Sequence, residues 1–144
     1  ERFWHPRMNW YGPAGIGTAR GISGFRNWHQ IPFLDALPDR RGGATGTLKS
    51  HFFAAGPYVA VTGWPNMQMT LTGDGWLGIA PAGQKITMRS LDFWRVADGR
   101  IRENWVMVDL LDAYRQLGVD VFHRLREFNK ARVPGLVPFP VGDA

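Results

Sequence analysis

The stretch Ile86 to Gly118 constrains this chain more than any other. It reads as a strand (ITMRSLDFWRV), a tight turn (ADG), a second strand (RIRENWVMVD) and a short helix (LLDAYRQLG). Asp109, with Asp112 three residues on, resembles a capping box, and Gly118 supplies a helix stop. Along the first strand one face carries Ile86, Met88, Ser90, Asp92, Trp94 and Val96. Asp92 therefore sits among apolar neighbours, with Ser90 as its polar company. An unpaired carboxylate in such a place is costly, so it finds a partner or holds its proton. A carboxyl group in an apolar cavity suits general acid or base chemistry. The competing reading is a structural aspartate bonded to a hydroxyl, an amide or an Arg.

The turn decides what shares that face. With Asp98-Gly99 as a two-residue turn, Asp92 faces Trp105 and Asp109 lies on the same face. With a three-residue loop and a bulge at Gly99, Asp92 faces Asn104. Val106 and Val108 then join it, while Trp105 and Asp109 turn away. The bulged register is the preferred one. Asp109 is a helix cap first and an alternative acid second.

Upstream, the aromatic-rich ERFWHPRMNWY predicts a short helical or turn piece leading into a strand at Met8 to Tyr11. GPAGIGTARGISG has glycines but neither phosphate-loop spacing, so it reads as a loop entering a helix. Residues 22–37 have Ile22, Phe25, His29 and Phe33 along one helical face, with Pro32 as a kink. His29 is either a core histidine or a pocket histidine. GTLKSHFFAA and YVAVTGW predict two strands around a Gly56-Pro57 turn, the second running past Pro65 into NMQMTLTG. A second helical piece is predicted from Asp120 to Ala131. One domain, residues 1–133, is followed by an extended Pro/Gly-rich tail, 134–144.

Composition narrows the function classes. The 144 residues contain no cysteine, which removes disulfides, thiolate ligands and a Cys nucleophile. That is compatible with a reducing compartment, and a cytoplasmic location is expected. No two of the four histidines have metal-ligand spacing, so no metal is expected. The net charge of +5 is scattered, so nucleic acid is not an expected partner. No apolar run approaches a membrane span, and no leader pattern opens the chain.

DFWRVADGRIRENW followed by VDLL and RQLG resembles the end of SnoaL-like polyketide cyclase domains, within the NTF2-like superfamily. GPAGIGTARGISGF, ALPDRRGG and TLTGDGWLGIAPAG resemble earlier segments, so the likeness spans roughly residues 4 to 118. The resemblance implies an α+β cone, in which a strongly curved, mostly antiparallel sheet wraps around helices and encloses one pocket. It implies a homodimer formed through the sheet, a hydrophobic small-molecule ligand and no cofactor. Ketosteroid isomerases of the superfamily carry an Asp in a strand motif similar to Asp92-Phe93-Trp94-Arg95. Two positions depart from the family pattern. Val106 stands where many relatives have Asp, and Leu71 where many have His.

The resulting expectation is a cofactor-independent proton transfer, either aldol-type ring closure or isomerisation, on a hydrophobic carbonyl compound. Asp92 would shuttle the proton, with Asp109 as the alternative acid. Asn104 would hold an oxygen, His29 would assist, and Trp10, Trp64 and Trp94 would wall the cavity. The alternative is a non-catalytic binding or assembly module, motivated by Val106 and Leu71. A water-activating hydrolase on the same cone ranks last, because Arg89 and Arg95 point away from Asp92.

Overall fold

The computed structural model describes residues 2–42 and 48–132. Its strands are β1 (Trp4–Tyr11), β2 (Thr18–Arg20), β3 (Arg41–Gly42), β4 (His51–Ala55), β5 (Tyr58–Thr70), β6 (Lys85–Ala97) and β7 (Arg100–Val108). They form one mixed sheet in the order β2-β1-β7-β6-β5-β3, with β4 also paired to β5. The β1–β7 pairing is parallel and the others are antiparallel. The fold is α+β, with an open sheet. The expected tail, 134–144, lies outside the described residues, as does the Gly46-Thr47 start expected for the first strand of the middle hairpin.

Strand β1 begins at Trp4, four residues earlier than Met8. The reason is tertiary: β7 offers it a parallel partner, with Trp4 beside Ile101 and Trp10 beside Asn104. The register shifts between Trp4 and Asn9, around Pro6, which has no N–H to give to the ladder.

Residues 21–36 are helical but not uniformly so. Helix α1 (Gly21–Phe25) passes into a π turn (Arg26–Gln30) and then helix α2 (Ile31–Ala36). In the π turn the Ile31 N–H bonds the Arg26 carbonyl, five residues back. A proline in a regular helix clashes with the carbonyl four residues before it. The wider turn ahead of Pro32 accommodates it without ending the helix. Phe25, His29 and Phe33 share a face that lines a cavity, while Ile22 faces Pro6 and Arg100 instead.

Two apolar clusters flank that cavity. Leu37, Met69, Leu71, Ile86 and Met88 are almost fully buried at one end, with Phe33 and Trp76 against them. Met8, Trp10 and Ala19 form the other, with Trp4, Phe25 and Val106. Burial of a large apolar side chain stabilises by about 1.5–3 kcal/mol, so these clusters hold the curved sheet against the helical stretch. Helix α3 (Leu110–Gln116) follows β7 directly, and α4 (Val121–Arg132) follows α3. Among the described residues, no helix is long and apolar enough to cross a membrane.

Candidate active site

The hairpin register is neither of the two expected ones. Ala97 pairs with Arg100, so Asp98-Gly99 is a two-residue turn. Both residues have positive φ, 51° and 69°, as a type I′ turn requires. The bulge comes later: Val96 pairs with Ile101, but Arg95 pairs with Glu103, leaving Arg102 as the extra residue. Beyond it Asp92 stands directly opposite Val106, and Asn104 opposite Trp94. The face assignment of the bulged reading therefore holds, but the bulge lies in β7 and not at Gly99. One extra residue in the strand reverses the facing set just as one in the turn does.

Three rungs of the sheet pass beneath the cavity, and their β6, β7 and β1 members line it. Val59, Trp94, Asn104 and Trp10 follow one another across β5, β6, β7 and β1. Val61, Asp92 and Val106 form the next rung, and Gly63, Ser90 and Val108 the third. The helical stretch covers them with Phe25, His29 and Phe33, enclosing a cavity of about 230 Å³.

Asp92 has only neutral hydrogen-bonding company. Burial between valines pushes its carboxyl above the usual carboxylate range. The neighbouring Asn104 amide, the Ser90 hydroxyl and the more distant Arg40 charge each pull it back. Ser90 Oγ donates to Asp92 Oδ2 at 3.4 Å. Asn104 spends its amide chiefly on the Phe93 carbonyl, at 3.1 Å.

Behind Ser90 stands Asn66, which no sequence signal marks. Its Nδ2 donates to Ser90 Oγ at 2.8 Å, and its Oδ1 accepts from the Ser90 N–H at 3.1 Å. With that lone pair occupied, the Ser90 proton is free to point at Asp92. Asn66 gets there through an irregularity in β5 between Gly63 and Met67. A Cβ on Gly63 would come within 2.3 Å of both Asn66 Cβ and the Lys49 carbonyl oxygen, so the irregularity needs glycine.

His29 enters from the π turn. Its ring stacks on Trp10 at 4.1 Å, with Phe25 and Phe33 beyond. Burial, then the charge of Arg40, lowers its pKa to about 4, so the ring is neutral at pH 7. Arg40, whose sequence signature is only a basic doublet with Arg41, also lines the cavity.

Two expected site residues lie elsewhere. Trp64 is 64% exposed and covers the Arg89 guanidinium at 5.5 Å. On β5 the residues facing the cavity are odd-numbered up to Gly63, so Trp64 points outward. Asp109 is outside the cavity too. Its Oδ1 accepts from the Asp112 N–H at 3.0 Å, capping α3, and its Oδ2 meets Arg89 Nη1 at 3.3 Å. The cavity brings together Asp92, Asn104, His29, Trp10 and Trp94. Among the family-pattern departures, Val106 faces Asp92 directly, whereas Leu71 is wholly buried in the apolar core.

The sequence profile of the SnoaL-like polyketide cyclase family matches residues 1–117. Solved structures agree in fold. IdmH, a candidate polyketide cyclase from Streptomyces antibioticus, is 26% identical, with a TM-score of 0.63 over 81% of this chain and 83% of that one. AclR, a candidate hydroxylase from Streptomyces galilaeus, is 20% identical, with a TM-score of 0.58 over 80% and 77%. TerC, co-crystallised with polyporic acid, is 19% identical, with a TM-score of 0.57 over 81% and 81%. No functionally curated protein matches the sequence significantly.

Proposed function

This chain belongs to the SnoaL-like polyketide cyclase family, and we propose that it catalyses proton transfer next to a carbonyl without a cofactor. The substrate is a hydrophobic, ring-shaped carbonyl compound, and the reaction is aldol-type ring closure or isomerisation. The observation that carries this reading is Asp92: a carboxyl group on the floor of an aromatic-walled cavity, raised in pKa by burial and bonded to neutral donors.

In its ionised form Asp92 takes the proton from the carbon beside the carbonyl, leaving an enolate. In ring closure the enolate carbon attacks a second carbonyl carbon, and the new alkoxide receives the proton back. In isomerisation the proton returns to a different carbon. A raised pKa suits the first half, because it makes the carboxylate a stronger base, and the carboxylic acid so formed supplies the proton for the second. Asn104 lowers the Asp92 pKa from beside it and does not polarise a substrate oxygen, since its amide nitrogen is engaged with the Phe93 carbonyl. Neutral His29 is a hydrogen-bonding wall, not a cationic acid. TerC, of similar fold, was co-crystallised with polyporic acid, and Trp10, Trp94 and Phe33 line the cavity here, which supports a flat, ring-shaped ligand.

The test is turnover of β-keto ring precursors by wild type and Asp92→Asn. A folded Asp92→Asn protein with full activity ends the assignment. The second reading, a non-catalytic binder, is favoured by Val106 opposite Asp92, where many relatives carry an acid. It expects saturable tryptophan quenching by a hydrophobic ligand that is recovered unchanged. A homodimer through the outer sheet face, where Phe53, Phe93 and Met107 are exposed, is the expected assembly, and sedimentation velocity checks it.

A further inference from the structure

Arg40 follows α2 and lines the cavity from its exposed edge. Its guanidinium carbon lies 5.7 Å from the centre of the Phe33 ring. Its Nε–H points at Met67 Sδ, at 3.2 Å. A thioether is a weak acceptor, and the guanidinium has four further N–H donors. Among the described residues no carboxylate forms an ion pair with it, Asp92 included. Among the described residues, Arg40 is also the only Lys or Arg that lines the cavity.

A guanidinium held against an aromatic ring and a sulfur, with donors to spare, is an incomplete binding site. Apolar contact fixes its position, while no described residue supplies the carboxylate such a fork is built for. Asn104 is engaged with backbone, and His29 is uncharged at neutral pH. The charge complement for a negative ligand oxygen in this cavity is therefore Arg40.

We infer that Arg40 receives an anionic oxygen of the substrate, so that the preferred class is ring-shaped carbonyl compounds carrying a carboxylate or an ionised enol. This rests on the reading that the cavity holds the substrate, but not on the proton transfer assigned to Asp92. The rings lie along the aromatic wall. The negative oxygen sits at the exposed edge on Arg40, and the reacting carbon lies deeper, toward Asp92. Bound there, an enolate would also have its charge offset as it forms.

The experiment measures binding by tryptophan quenching at low and physiological salt. The proteins are wild type, Arg40→Met, Arg40→Lys and Asp92→Asn. The probes are naphthoate, its neutral methyl ester, and an acidic cyclic triketone that is an enolate at neutral pH. Arg40→Met should weaken at least one anionic probe about 10- to 100-fold, the range for losing a charged hydrogen bond, and the ester less than about threefold. Arg40→Lys should recover part of the loss, and added salt should weaken the anions more than the ester. Dependence on Arg40 for naphthoate alone identifies a carboxylate; for the triketone alone, an enolate.

Equal weakening of anions and ester in folded Arg40→Met overturns the inference, as does unchanged anion binding. So does failure of every anionic probe to bind wild type. If Asp92→Asn keeps full turnover while the Arg40 dependence stands, the proton-transfer reading fails and this one survives.

Discussion

Strand β6 holds two acidic sites on its two faces, and they differ in nearly every physical respect. Asp92, on the even face, looks into the cavity with Val106 opposite and neutral donors beside it. Asp112, on α3, docks against the odd face beside Arg89. Its Oδ2 lies 3.6 Å from Arg89 Nε and accepts from Gln116 Nε2 at 2.9 Å, while its Oδ1 meets Arg115 Nη2 at 2.6 Å. The Arg115 bond chiefly holds Asp112 below the usual carboxylate range, against the effect of burial; Arg89 and Gln116 lower it further. Burial raises Asp92 because no close cation answers it. The same residue type is a fastener where its charge is matched and a reagent where it is left unmatched.

The largest expected effect breaks the reactive half of this pair. Asp92→Asn should lower kcat/KM by roughly 10²- to 10⁴-fold, the usual worth of a positioned general base. Asp109→Asn should leave the rate per folded molecule within about threefold, because Asp109 caps α3 and lines no part of the cavity. Steady-state kinetics on both variants, with circular dichroism as the control, decides between the two carboxylates.

The fastener should respond in the opposite way. Asp112→Ala should cost stability, about 1–3 kcal/mol, because it strands Arg89, Arg115 and Gln116 around a missing acceptor. The rate per folded molecule should hold. Urea unfolding monitored by tryptophan fluorescence measures the first, and active-site-normalised turnover the second.

The hydrogen-bond relay gives an intermediate test. Ser90→Ala removes the hydroxyl donor to Asp92, so the acidic limb of the kcat/KM profile should move to higher pH. Asn66→Ala should move it the same way by less, since Ser90 keeps its proton but loses its orientation. Gly63→Ala should reproduce the Asn66 effect with an added loss of stability, because its Cβ meets Asn66 and the Lys49 carbonyl. An unmoved pH profile in all three variants would disconnect the relay from Asp92.

The smallest effect is on the pH dependence of stability, and its sign differs between the sites. Asp112 has a depressed pKa in the folded state. Its contribution is present above the unfolded value of about 3.9 and is lost as pH falls through the folded value. Asp92 has a raised pKa, so the folded state binds its proton more tightly than the unfolded state does. Its burden on stability appears as pH rises from about 3.9 through the folded value and persists at neutral pH. Asp92→Asn should therefore raise the Tm modestly at pH 7, and the gain should vanish near pH 4. A variant no more stable than wild type at pH 7 would mean that Asp92 is better satisfied than its neighbours imply.

Much of the fold was legible in residue order. Alternation marked β5, β6 and β7, and the Asp109–Asp112 pair marked the start of α3, because period-two patterning and caps are local. The family resemblance supplied the cone. Asp92 could be picked out because its strand neighbours are apolar, which is a one-dimensional fact. Trp64 misled because alternation fixes a face only relative to neighbours, and which face a β5 residue presents is set by its register with β6. Asn66 and Arg40 could not be found at all, since neither has a local pattern that distinguishes it from a surface polar residue. The tertiary structure decided three things: where the extra residue of the β6–β7 ladder lies, which brings Val106 and not Asn104 opposite Asp92; that Pro32 is absorbed by a π turn, which carries His29 onto Trp10; and that Asn66, 24 positions from Ser90 in the chain, reaches it through the irregularity in β5, because strand pairing joins residues remote in sequence.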